Sequence, residues 1–172
     1  MKQKDIKKGF TLLEVLIAIF IMSVGIAGVM TLITQTIFLS TLSSSKLTAA
    51  YLTQEGIELV RNIRDGNLLK QRNDPLVDWD DDLGVGDWEA DYSSLVLNLY
   101  VSRYFKIDGG FYNYSSGIDT KFKRKITIFD KTDLSIPLDG IPDMFKILVL
   151  VEWQEKGKDY QTSAEDYLYN WR

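Results

Sequence analysis

The chain reads as an α+β protein: one long N-terminal helix followed by an antiparallel sheet of about four strands laid on the helix's second half. Three observations predict this. Residues 15–45 contain no Asp, Glu, Lys or Arg, and no Pro occurs before Pro75, so one helix can run far past an apolar start. The period then changes to two from Leu95 onward, which is strand spacing. The strand-like stretches are separated by Gly-, Pro- and Asp-rich segments and follow the helix rather than alternate with it.

The first element is a basic leader, Met1–Gly9, in which Lys2, Lys4, Lys7 and Lys8 outnumber the single acid, Asp5. An apolar run follows, densest over residues 12–33, and about 20 such residues cross a bilayer core. Lysines before the run favour a cytoplasmic N-terminus. The apolar run exceeds the roughly 7–15 residues of a secretory signal core, and no A-x-A site follows it. Glu14 sits just inside the run, where a free charge is costly. It is tolerable if paired or neutralised, or if its side chain reaches the cytoplasmic headgroups. Gly25 and Gly28 would let helices approach closely, although Gly is also common in membrane helices.

Past the polar stretch Thr41–Ser45 the helical pattern resumes. Leu52, Gly56, Leu59 or Val60, and Ile63 share one face, and Gln54, Glu58, Arg61 and Asp65 another. Arg61 and Arg64 suit the last turn of a helix, and Gly66 is a natural stop. The expected helix therefore spans residues 10–65, roughly 84 Å at 1.5 Å per residue. Its first half belongs in lipid or among similar helices, and its second half on the rest of the chain.

Residues 67–94 read as a loop carrying Asp78, Asp80, Asp81, Asp82, Asp87 and Asp91. The spacing lacks the Gly and terminal Glu of a calcium loop, so a solvated acidic loop is expected, pinned by Trp79 and Trp88. Leu95, Leu97, Leu99, Val101 and Phe105 alternate with polar residues as a strand, and Asp108-Gly109-Gly110 is a turn. Phe111–Tyr114 is a short strand. Phe122, Ile126 and Ile128 form one face of the next, and Lys121, Lys123, Lys125 and Thr127 a solvated outer face that guards a sheet edge. After a loop over residues 130–143, Phe145, Ile147, Val149, Val151 and Trp153 line one face of the clearest strand. Leu148 and Leu150 suggest that its centre is covered on both sides. A hairpin at Glu155-Lys156-Gly157-Lys158 leads to a final strand over residues 159–169, and Trp171 is expected to pack.

The chain of 172 residues has a formal net charge of −4 and neither Cys nor His. Disulfide and thiolate chemistry, His-based triads and His/Cys zinc sites are thereby excluded. No catalytic constellation, metal site or cofactor loop stands out, and a non-enzymatic protein is expected. The part beyond the basic leader is more acidic than the whole, a poor match for nucleic acid.

The string Lys7-Lys8-Gly9-Phe10-Thr11-Leu12-Leu13-Glu14-Val15-Leu16-Ile17-Ala18 resembles the class III signal of type IV prepilins and pseudopilins. The resemblance implies a pilin-like fold and cleavage by prepilin peptidase between Gly9 and Phe10, with methylation of the new Phe10 amino group. Glu14 would then face the Phe10 N-terminus of a neighbouring subunit on assembly. It implies three regions: leader 1–9, membrane and filament-core half-helix 10–45, and extracytoplasmic domain 46–172. It also implies partners: other pilin or pseudopilin subunits, an inner-membrane assembly platform and the bilayer. The subunit would be a single-pass membrane protein before assembly and part of an extracytoplasmic or cell-surface filament afterwards. The apolar half lacks the helix-bending Pro usual in major pilins. Its Ile21–Val29 segment, and residues 50–65, look closer to minor pilins and minor pseudopilins of type II secretion. The competing class is a membrane-anchored extracytoplasmic binding module that never polymerises.

Overall fold

The computed structural model describes residues 9–130 and 144–170. Helix α1 (Leu12–Gln71) is followed by β1 (Gly86–Glu89), β2 (Asn98–Leu99), β3 (Lys106–Asp108), β4 (Phe111–Asn113) and β5 (Ile118–Asp119). Three longer strands complete the chain: β6 (Phe122–Asp130), β7 (Met144–Glu155) and β8 (Lys158–Tyr169). Two compact units divide these elements, Met1–Ser44 and Ser45–Arg172.

In the first unit the apolar side chains of α1 are exposed, among them Leu12, Phe20, Met22 and Leu32. The hydroxyls along this segment turn inward on their own backbone. Ser23 donates to the Ile19 carbonyl at 2.6 Å, Thr31 to Ala27 at 3.0 Å, Thr34 to Met30 at 3.1 Å and Thr36 to Leu32 at 2.9 Å. A helix with an apolar surface and self-satisfied polar groups is suited to hydrocarbon, and α1 is long and apolar enough to cross a membrane.

In the second unit, α1 buries Ser45, Ala49, Leu52, Thr53, Gly56, Ile57 and Val60, one stripe at helical spacing. The stripe packs on a five-stranded antiparallel sheet of order β2-β1-β6-β7-β8. A smaller sheet has order β4-β3-β5, so the α+β expectation holds with more strands than expected. Alternation along β7 is complete: Phe145, Ile147, Val149, Val151 and Trp153 are all buried, each contributing about 1.5–3 kcal/mol over exposure. Ile126 and Ile128 of β6, Leu168 of β8, Trp79 and Leu83 close the core. Trp79 lies 5.3 Å from the Phe145 ring. Trp88 donates its indole N–H to the Gly84 carbonyl at 2.8 Å and packs against the core edge. Both tryptophans thus hold the segment as expected.

Several expectations are corrected. The helix passes through Gly66 and ends at Gln71. Gly66 weakens a helix only modestly, and Asn67 beyond it is buried, donating its side-chain amide to the Trp79 and Asp81 carbonyls. The true stop lies nearer Pro75, whose ring disfavours helical backbone at Asp74. Residues 67–94 are not wholly loop, since they contain the end of α1 and all of β1. The alternation over residues 95–105 yields only the two-residue β2, and Leu95, Leu99 and Val101 stay exposed while Leu97 and Phe105 are buried.

β6 is not the outermost strand, since it lies between β1 and β7, although β1 pairs only with Ile126–Ile128 and does not extend along Lys121–Lys125. Lys123 instead pairs with Glu152 at 3.6 Å, Lys125 with Asp87 at 3.5 Å, and Lys121 with Glu155. Leu148 and Leu150 are half-buried, so the outer face of β7 is not a second core. The β7–β8 hairpin forms as expected, its Lys156-Gly157 turn having φ of 48° and 76°, the positive pair that two-residue hairpins demand. The loop over residues 130–143 and the packing of Trp171 fall largely outside the described residues.

Candidate processing and assembly site

The residues singled out at the N-terminus lie at the start of α1. Gly9 and Phe10 precede the helix and are exposed, Phe10 at 84%. Thr11 is the N-cap: its side-chain oxygen accepts the Glu14 N–H at 3.3 Å, and its carbonyl accepts the Val15 N–H at 3.2 Å. Thr11-Leu12-Leu13-Glu14 therefore has the spacing of a capping box. Glu14 stands exposed in the first turn, where its negative charge opposes the positive end of the helix dipole. The arrangement presents a peptide junction on unwound backbone and a carboxylate one turn into an apolar helix. An amine released at Phe10 would add positive charge at the helix end least suited to it, so a carboxylate nearby would offset that cost. Thr11 was missed in the sequence reading, although the Thr-x-x-Glu spacing was legible.

A second polar cluster lies inside the Ser45–Arg172 unit and carries no sequence motif. Arg124 of β6 is fully buried. One guanidinium nitrogen donates to the Leu52 carbonyl of α1 at 2.7 Å and the other to the Ala90 carbonyl after β1, and both lie 3.4 Å from Glu55. The guanidinium sits 4.9 Å from the Phe105 ring centre, Phe105 stacks on Tyr114 at 4.5 Å, and Arg103 lies over the Tyr114 ring at 4.8 Å. Arg103 in turn pairs with buried Glu89. This column of cation, ring, ring and cation ties the small sheet's segment to α1, β1 and β6. Burial pushes the Arg124 pKa down and the Tyr114 hydroxyl up, the latter lacking a hydrogen-bond partner among the described residues. The residue was discoverable by parity, since Arg124 falls on the inward side between Phe122 and Ile126.

Asp91 is buried and held by the Ser93 and Ser94 hydroxyls and the Ser93 and Tyr114 N–H groups. Asp87 accepts from the Thr127 hydroxyl at 2.6 Å. These members of the acidic segment are thus structural partners. Among the described residues no three Asp, Glu, His or Cys side chains converge to hold a metal ion.

Residues 5–30 match the family model described as the prokaryotic N-terminal methylation motif. The match includes Gly9, Phe10 and Glu14 and ends within the apolar part of α1. The N-terminal segment is a type IV pilin-like prepilin signal, joined to a membrane-type helix and an α+β unit. No curated protein and no solved structure matches the chain.

Proposed function

We propose that the chain is the precursor of a minor pilin or pseudopilin, a structural subunit of a type IV pilus-like filament or secretion pseudopilus. The observation that carries this reading is the Gly9-Phe10 junction with Glu14 one turn into an apolar helix, within the matched methylation motif. Prepilin peptidase would cut after Gly9 and methylate Phe10. The mature subunit would wait in the inner membrane, with leader-side residues cytoplasmic, until an assembly platform extracts it. Helix packing would hold the filament core, and the Phe10 amine of one subunit would meet Glu14 of another. An ion pair in hydrocarbon is strong because neither partner has water as an alternative. The lack of a Pro in the apolar half supports a minor rather than a major subunit.

The test is the intact mass of the mature protein from a host with active prepilin peptidase. The expected species begins at N-methylated Phe10. A species retaining Met1–Gly9 would instead fit a membrane-anchored extracytoplasmic binding module. With processing established, Glu14→Ala should abolish or sharply reduce incorporation into filaments; assembly at the wild-type level would remove the role given to Glu14.

A further inference from the structure

We propose that the solvent face of the large sheet carries a saccharide-binding groove, walled by Tyr104 and the outward side chains of Lys123, Glu152, Gln154, Asp159 and Gln161. These residues line a cavity of about 310 Å³, at the small end of the roughly 300–1,000 Å³ of ligand pockets and of a size for one sugar ring. All of them belong to the Ser45–Arg172 unit.

Strand alternation places the polar wall. Glu152 and Gln154 face away from buried Val151 and Trp153, and Lys123 faces away from buried Phe122 and Arg124. Register then sets Lys123 opposite Glu152, Glu152 opposite Gln161, and Gln154 opposite Asp159. The aromatic wall comes from the segment before β3. Phe105 is fully buried; its N–H donates to the Phe122 carbonyl and its own carbonyl accepts the Thr120 N–H, both at 2.8 Å. Those bonds fix the preceding residue, Tyr104, beside the start of β6, although Tyr104 itself is 55% exposed. Its ring turns a face to Lys123, whose Nζ is 5.9 Å from the ring centre.

The chemistry of the walls selects the ligand. Lys123 Nζ stands 3.6 Å from Glu152 Oε2, beyond ordinary hydrogen-bond length, so both groups can still bond a hydroxyl. The Gln154 amide donates one N–H to Asp159 at 3.2 Å and keeps its second N–H and its carbonyl lone pairs. Gln161 adds another amide at an exposed position. Adjacent donors and acceptors match the neighbouring hydroxyls of a sugar, each of which donates and accepts. The weakly positive C–H face of the same sugar suits the negative face of the Tyr104 ring. One lysine against two carboxylates leaves the groove net negative, which disfavours phosphate and other anions. The polar wall disfavours an apolar ligand. The groove is open and holds a single ring, so binding falls in the millimolar range.

This inference goes beyond the proposed function and does not depend on cleavage at Gly9, so the mass measurement above and the binding test can fail separately. Saturation transfer from the protein's aromatic protons to glucose, galactose and N-acetylglucosamine is measured by NMR on the full chain, in a detergent without a sugar headgroup. The ring protons of at least one sugar should receive saturation. Tyr104→Ala should abolish that transfer. Gln161→Ala should raise the half-saturating concentration roughly fivefold, the loss of about one hydrogen bond. Both positions are exposed, and an unchanged near-ultraviolet tryptophan signal verifies that each variant is folded. Transfer to none of the three sugars, transfer unchanged in both variants, or displacement of the sugar by equimolar inorganic phosphate would each overturn the proposal.

Discussion

Arg124 shows what a single side chain holds. Its guanidinium joins Leu52, Ala90 and Glu55, and those carbonyls and the carboxylate lose a partner together if it is removed. Arg124→Ala should destabilise the Ser45–Arg172 unit, because the Leu52 and Ala90 carbonyls lose their donor, at about 1–3 kcal/mol for each buried group left unpaired. Glu55→Gln should cost less, because the two carbonyl bonds remain. Denaturant unfolding of the full chain in detergent, followed by the near-ultraviolet signal of the tryptophans, would compare them. Asp91 supplies a pH dependence. Burial alone would raise its pKa, but hydrogen bonds from Ser93, Tyr114 and Ser94 outweigh it and hold the carboxyl below its ordinary value. Its contribution is therefore complete above the unfolded value of about 3.9 and is lost as pH falls through the lower folded value. Asp91→Asn should melt below wild type at neutral pH, with the gap narrowing below about pH 4; a gap independent of pH would exclude this linkage.

At the scale of elements, the approach of α1 to the sheet depends on Gly56. A Cβ there would lie 2.7 Å from a Val149 methyl and 3.0 Å from Arg124 Cδ. Gly56→Ala gains up to about 1 kcal/mol of helix propensity but meets an overpacking cost of about 1–3 kcal/mol. The net change should be destabilising and should be relieved by adding Val149→Ala. A melting series of the two single variants and the double would measure the coupling. The apolar face of this helix segment was legible in the sequence because its period is local. The extent of the helix was less so. Gly66 resembles a stop, and only the burial of Asn67 against the Trp79 and Asp81 carbonyls shows why the helix continues. The Leu95–Val101 alternation likewise signals a strand, but pairing needs a neighbour, and among the described residues β2 pairs with β1 alone.

For the whole molecule, the two halves of α1 differ in their surfaces: the apolar half is exposed and the other buries a stripe against the sheet. All core residues belong to the Ser45–Arg172 unit. That unit, expressed without the preceding 44 residues, should therefore fold cooperatively and remain soluble without detergent. Circular dichroism with a near-ultraviolet tryptophan signal and a sigmoidal melt would check this. A non-cooperative or insoluble product would show that the apolar half of α1 contributes to the fold.

The sequence by itself determined the lysine-rich start, the Gly9-Phe10-Thr11-Leu12-Leu13-Glu14 string, the uncharged apolar helix and the inward face of β7. Each is written in contiguous residues or a short period, so composition and spacing are sufficient to read it. Tertiary structure alone decided that β6 lies between β1 and β7 with its lysines in ion pairs, and that Arg124 is a buried clasp. It also decided that β2 and β8 are the opposite edges of the large sheet. Those facts depend on which strands become neighbours across long separations in sequence, and strand order is set by the packing of the whole core rather than by any local pattern.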